Sequence, residues 1–217
     1  MSSVPPNIAP PIASSPASQT DSIDRDRITR FDALYAPLLA AWVRTEQDLT
    51  WLAPGTKGPL TAAKIAAWGA ERPCRYLYWR HGCDIPSAYA ELNPMPNIPD
   101  QLWVGHFLVD PVCRGKGIGQ RFMARLLELA FLYHACNGVL LVVFPDNPAA
   151  IRCYEQSGMM KIGNESRYFE TTRSRHDFIR MAIDRPMFDE CVRQGRMRPA
   201  PPAVDARARP AARHLSP

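Results

Sequence analysis

The chain has 217 residues, 46% of them hydrophobic, enough for one domain of ordinary size with its own core. A net charge of +5 invites a nucleic-acid partner. However, residues 192–217 hold Arg193, Arg196, Arg198, Arg207, Arg209 and Arg213 against Asp205 alone, so the excess sits in that tail and the remainder is neutral. The six cysteines form no C-x-x-C pair, no run approaches the length of a membrane span, and no basic-then-apolar leader opens the chain. The expectation is a cytoplasmic protein with reduced thiols, no metal, no membrane contact and no specific nucleic-acid target.

Residues 1–23 are rich in Pro, Ser and Ala with few large apolar groups, which predicts a disordered tail. A domain over 24–191 follows, then a second disordered tail, rich in Arg, Ala and Pro, over 192–217. Within the domain a short strand is expected near Arg27 to Phe31. Helices are expected over Ala33 to Val43 despite Pro37, over Thr45 to Leu52, and over Ala62 to Ala70 behind Thr61 as N-cap. Tyr76 to Arg80 and Ser87 to Asn93 read as a hairpin. In its second strand Ala88, Ala90 and Leu92 form an apolar face, while Tyr89, Glu91 and Asn93 form a polar one. Leu102 to Val109 is a strand, and a helix with Ile118, Phe122, Leu126 and Leu129 on one face follows it to about Tyr133, stopped by Asn137-Gly138. Val139 to Phe144 reads as a central strand, and Asn147 with Pro148 opens a helix that Gly158 closes. Met159 to Ile162 and Phe178 to Ile183 are final strands with a polar loop between them, and a last helix lies near Met187 to Val192. This order describes an α/β domain with a mixed sheet.

The strand-to-helix turn Arg114-Gly115-Lys116-Gly117-Ile118-Gly119-Gln120 carries the chemistry. Glycines at alternate positions let consecutive amides converge on one acceptor, and the helix behind them presents its positive dipole end to the same place. Arg114 and Lys116 add full charges, so a pyrophosphate suits the turn. No Ser or Thr follows Lys116, which excludes a Walker A loop, and the glycine spacing misses the dinucleotide fingerprint.

With Arg114-x-x-Gly117-x-Gly119 preceded by Val109-Asp110-Pro111, and Asn147-x-x-Ala150-x-x-x-Tyr154-x-x-x-Gly158 further on, the chain resembles the GNAT superfamily of acyl-CoA-dependent N-acyltransferases over about residues 27–185. The resemblance implies a mixed, mostly antiparallel central sheet flanked by helices. It implies acetyl-CoA as acyl donor, held by Phe107, Leu108 and Val109 along its pantetheine arm, by Arg114, Gly115, Lys116, Gly117, Ile118, Gly119 and Gln120 at its pyrophosphate, and beside Asn147 and Ala150. A primary amine, on a small molecule or a protein, then attacks the thioester directly. Tyr154 stands where the family keeps a phenol for the leaving thiolate, and Glu91, on a strand flanking the acceptor side, is the first choice of base, with His106 second. His106 shares strand parity with Val104 and Leu108, where a core histidine is an equal reading. Trp51, Trp103 and Tyr89 either shape an acceptor pocket or pack the core. A transferase using another acyl-CoA and a non-catalytic acyl-CoA-binding module are the rival readings. Segments 45–62, 94–101 and 163–177, which would choose the acceptor, carry no decodable pattern, and monomer and homodimer stay open.

Overall fold

The computed structural model describes residues 26–68 and 74–197. The tails expected over 1–23 and from 198 onward lie outside the described residues. So do positions 69 and 70 of the third expected helix.

Seven strands make one sheet in the order β1-β2-β3-β4-β5-β7-β6, with β1 Arg27–Arg30, β2 Arg75–Trp79, β3 Ala88–Pro94, β4 Gln101–Val109, β5 Gly138–Val143, β6 Met160–Phe169 and β7 Ser174–Asp184. Every neighbouring pair is antiparallel except β4 and β5. Those two are joined only by Gln101, Leu102 and Trp103 opposite Gly138, Val139 and Leu140. Beyond Trp103 they part, leaving the backbone edge of β4 that faces β5 without a strand partner.

Helices cover both faces. Strand alternation sends Tyr76, Tyr78, Ala88, Ala90 and Leu92 to one side, where they pack with Ile118, Phe122 and Leu126 of α4 (Ile118–Glu128), Ile151 of α5 (Pro148–Gln156) and Phe188 of α6 (Arg185–Arg193). Leu77, Trp79, Tyr89 and Leu108 go to the other, against Leu39 and Trp42 of α1 (Ala36–Trp42) and Ile65 of α3 (Ala62–Ala67). The expected helix over 33–43 is a 3₁₀ turn, Ala33–Tyr35, followed by α1, so Pro37 sits in a first helical turn, where its missing N–H costs no bond. Thr45 caps α2 (Glu46–Leu52), and Thr61 and Asn147 cap α3 and α5, their side chains accepting from Asp48, Lys64 and Ala150 amides.

Four details depart from the sequence reading. The polar stretch 163–177 is no loop; it forms most of the long β6–β7 hairpin, paired from Met160 with Ala182 to Phe169 with Ser174. After α4 the chain makes a π-helical turn over Leu129–Tyr133, and the left-handed residue that ends it is Ala135 (φ 52°), while Gly138 already belongs to β5. Residues 192–197, assigned to the tail by composition, continue and close α6, and Met197 is buried against the core. Finally, the polar face of β3 is not solvated: Tyr89, Glu91 and Asn93 all lie buried under the α1 and α3 side.

Candidate active site

Where β4 and β5 part, a groove of about 510 Å³ opens. Every residue assigned to the coenzyme on sequence grounds lines it except Lys116. Gly115 and Gly117 both have φ of 73°, and nothing lies within 4 Å of where a Cβ on Gly115 would stand. Gly117 is the N-cap of α4 and offers no side chain to the first-turn amides; the first of the helix amides to reach a backbone partner is that of Arg121, on the Gly117 carbonyl. Gly119 is needed for another reason, since a Cβ there would meet Cys153 Sγ at 3.0 Å, so its bareness lets α4 and α5 approach. The turn is thus open and rich in unpaired donors, which fits a diphosphate. Asn147 also lines the groove, but its Oδ1 is engaged in capping α5.

Arg114 is engaged as well. Its Nε donates to the Val109 carbonyl at 3.2 Å and its guanidinium pairs with Asp48 Oδ1 at 2.8 Å. On the same helix Trp51 donates from Nε1 to Asp146 Oδ1 at 3.1 Å, in the loop after β5. Helix α2 therefore spans the open groove with one bond to each arm. Asp48 was missed in the sequence, where an acid in a first helical turn reads only as dipole complement.

A second cavity, about 440 Å³, adjoins the first, and both are lined by Trp51, Leu52, Phe107, Val142, Phe144 and Tyr154. Tyr154 therefore stands at the junction. It is 7% exposed, packs edge-on against Phe107 (centroids 5.7 Å apart), and its hydroxyl holds no bond among the described residues. Burial pushes its phenol well above the ordinary range. The neighbouring Cys153 thiol, buried in the same wall, is pushed up to about 12.

The second cavity reaches Glu91, Asn93 and His106. Glu91 is 3% exposed and fully engaged: Oε1 accepts from Tyr89 Oη at 2.7 Å and lies 3.0 Å from His106 Nδ1 and 3.9 Å from Arg75 Nε, while Oε2 accepts from Asn93 Nδ2 at 3.1 Å. Burial by itself would raise its pKa, but the contacts from His106, Tyr89 and Asn93 outweigh it and hold the carboxyl at about 2. His106 reaches Glu91 because β4 bulges: Tyr89 opposes Leu108 but Glu91 opposes Gly105, and His106 takes φ of 44°. The bulge turns the strand over, so Val104 faces α4 while Leu108 faces α1, and the expected shared face of Val104, His106 and Leu108 does not exist. The His106 ring stacks on Trp68 at 3.9 Å, with the planes 7° apart. Its Nδ1 approaches the carboxylate off the direction of a good hydrogen bond.

Trp51 and Trp103 line the second cavity, but Tyr89 is core and supports Glu91. Residues 51–56 with Arg167 and Phe169 of the hairpin supply much of the wall, and 94–101 supplies none of it. The 53–56 turn rests on the hairpin, with Thr172 Oγ1 donating to the Pro54 carbonyl at 2.9 Å and Gly55 against Phe169. Among the described residues no group of three or more His, Cys, Asp and Glu could hold a metal, and no helix is long and apolar enough to cross a membrane.

Comparison with known proteins gives a consistent picture. A family model described as acetyltransferase (GNAT) family matches residues 41–159. The chain is 32% identical over 85 residues to the N-alpha-acetyltransferase RimI of Mycobacterium tuberculosis, covering 39% of this chain and 51% of that protein. It is 36% identical over 59 residues to a spermine/spermidine N(1)-acetyltransferase of Bacillus subtilis, covering 27% and 38% respectively. The chain spans about half or less of the length of these curated relatives. Among solved structures, the fold matches spermidine N-acetyltransferase from Vibrio cholerae in complex with CoA and spermine at a TM-score of 0.63 and 15% identity, covering 76% of this chain and 98% of that one. It also matches aminoglycoside acetyltransferase AAC(6')-Ib in complex with coenzyme A and kanamycin at 0.60 and 18%, covering 76% and 98%.

Proposed function

Because the chain belongs to the GNAT acetyltransferase family, we propose that it moves an acetyl group from acetyl-CoA to a primary amine by direct attack of the amine on the thioester. One observation carries this reading: the open glycine turn, the unpartnered edge of β4 and the free hydroxyl of Tyr154 share a groove that meets a second cavity at that hydroxyl. The amides after Gly115 would hold the diphosphate, and the bare β4 edge over 107–109 would bond the amides of the pantetheine arm as an added strand does. The same groove would admit a longer acyl group no less readily at the diphosphate end, so acetyl is the donor the family match favours.

The amine arrives largely protonated, and a base must take a proton before its nitrogen has a lone pair to use. Glu91 was the first choice, but a carboxyl held at about 2 retains a proton poorly. Its place beside His106 fits a positioning role. With a carboxylate oxygen 3.0 Å from Nδ1, charge attraction rather than a well-aligned hydrogen bond favours the imidazole proton on that nitrogen, which would leave Nε2 as the basic atom. His106 then takes the first proton, the amine nitrogen bonds to the acetyl carbon, the C–S bond breaks as Tyr154 donates to the departing sulfur, and the second proton of the nitrogen returns to the Tyr154 oxygen while His106 gives its own to solvent. One proton is released overall, with an amide and free coenzyme A as products.

Calorimetry with coenzyme A tests the binding half and thiol release from acetyl-CoA in the presence of amines tests the chemistry. Saturable heat with a single site per chain is expected. No heat on adding the coenzyme would overturn the reading.

A further inference from the structure

The second cavity has a composition that selects its guest. Its walls are largely aromatic, with Trp51, Trp68, Trp103, Phe144, Phe169 and Phe178. Glu91 is the sole acid among the described residues lining it, and both of its oxygens are engaged, with Arg75 close behind. Arg167, paired with Glu165, lies over the Trp103 ring at 4.9 Å and occupies the face where an incoming ammonium would stack. A guest with several ammonium groups would have to bury charge with no partner for it, which the interior does not tolerate. A sugar-borne polyamine would bury hydroxyls against rings as well.

Two buried polar atoms of residues lining this cavity lack a hydrogen-bond partner, His106 Nδ1, which faces the Glu91 carboxylate, and Asn93 Oδ1, which faces no such group. Asn93 is 3% exposed and its Oδ1 has no hydrogen-bond partner. The amide's orientation is settled by chemistry, because Nδ2 lies 3.1 Å from Glu91 Oε2, and a carboxylate cannot donate. The free atom is therefore an acceptor, waiting for an N–H. Asn93 and His106 both line this cavity and both contact Glu91, one at each carboxylate oxygen, and His106 is the group that would take a proton from the same nitrogen.

Resting on the acetyl-transfer reading of this site, we propose that the acceptor is a small monoamine with an aromatic or apolar body, its nitrogen donating to Asn93 Oδ1 and its body lying among the tryptophan and phenylalanine walls. Polyamines and aminoglycosides are excluded by the charge balance of the cavity.

The experiment compares initial rates of thiol release by the full chain with acetyl-CoA and four acceptors: phenethylamine, spermidine, kanamycin and a short peptide with a free N-terminus. The expected result is a kcat/KM for phenethylamine at least 100-fold above that for each of the others. Equal or better turnover of any of the three overturns the proposal. Asn93→Leu should raise KM for phenethylamine more than tenfold with coenzyme A affinity by calorimetry unchanged; an unchanged KM removes Asn93 from the site. Should that variant fail to fold, Arg167→Glu, at the half-exposed rim, gives an independent reading, since it should narrow the preference over spermidine about tenfold, and an unaltered ratio overturns the charge argument. Coenzyme binding without turnover of phenethylamine defeats the substrate class alone, whereas loss of coenzyme binding defeats the acetyl-transfer reading beneath it.

Discussion

The coenzyme groove and the acceptor cavity share a wall but are built in opposite ways. The proposed diphosphate cradle comes from one short turn, Arg114 to Gln120, in which backbone conformation would do the recognising. The proposed acceptor cavity is assembled from residues 51–56, Trp68, parts of β3, β4 and β5, and the distant β6–β7 hairpin, and its side chains would do the recognising. A site made of one turn tolerates change around it and none within; a site made of many segments can be retuned at any of them. This is a physical reason for the same fold to appear in proteins named for spermidine and for aminoglycosides.

Substitutions on either side of the wall can break that contrast. The largest effect is expected at the junction: Tyr154→Phe should lower kcat by about 10²- to 10³-fold with coenzyme and amine affinities nearly unchanged, since only a donor to the leaving sulfur is lost. Steady-state rates with calorimetric affinities check it. On the acceptor side, His106→Gln should lower kcat near neutral pH by about 100-fold and recover in part as pH rises, because free amine then forms in solution. A pH–rate profile shows this. On the coenzyme side, Gly117→Val forces a β-branched residue to φ near 73°, and the strain, about 1–2 kcal/mol, should weaken coenzyme binding roughly tenfold while leaving amine KM alone.

Glu91 tests the support behind the cavity. Its folded pKa is depressed, to about 2 from an ordinary 4.5, so its contribution to stability is present above pH 4.5 and is lost as pH falls toward 2. Thermal unfolding of Glu91→Gln should lie below wild type at neutral pH, with the gap closing across that acid window. Least of all should change on deleting residues 198–217, whose Arg, Ala and Pro composition supplies no large apolar cluster, so acetyl transfer should stay within about twofold. The cut must not begin at 192, because Met197 packs beside Gly158 and Cys191.

What the sequence revealed follows the same division. The glycine turn, the caps Thr61 and Asn147 and the central apolar strand are local signals, and local physics makes them. Only the ends of the β6–β7 hairpin are legible as strands, and its middle, 163–177, reads as loop because β6 is an edge strand exposed along most of its length and carries no apolar alternation. The burial of Glu91 is not legible in the sequence because nothing in β3 announces that α1 and α3 will cover it. The bulge at His106 is invisible to parity, since one extra residue reverses which face follows. Asn93 alone left a usable trace, two positions from Glu91 on the same face of a strand.

Helix α2 ties these halves together. Whatever draws Arg114 away from Asp48 loosens one end of the segment that carries Trp51, while the bond to Asp146 keeps the other fastened. An arriving diphosphate is such a rival for the guanidinium. If the proposed coenzyme binds there, the two chambers would share a partition that the first guest could shift, and the fit of the second would be set after the first is seated.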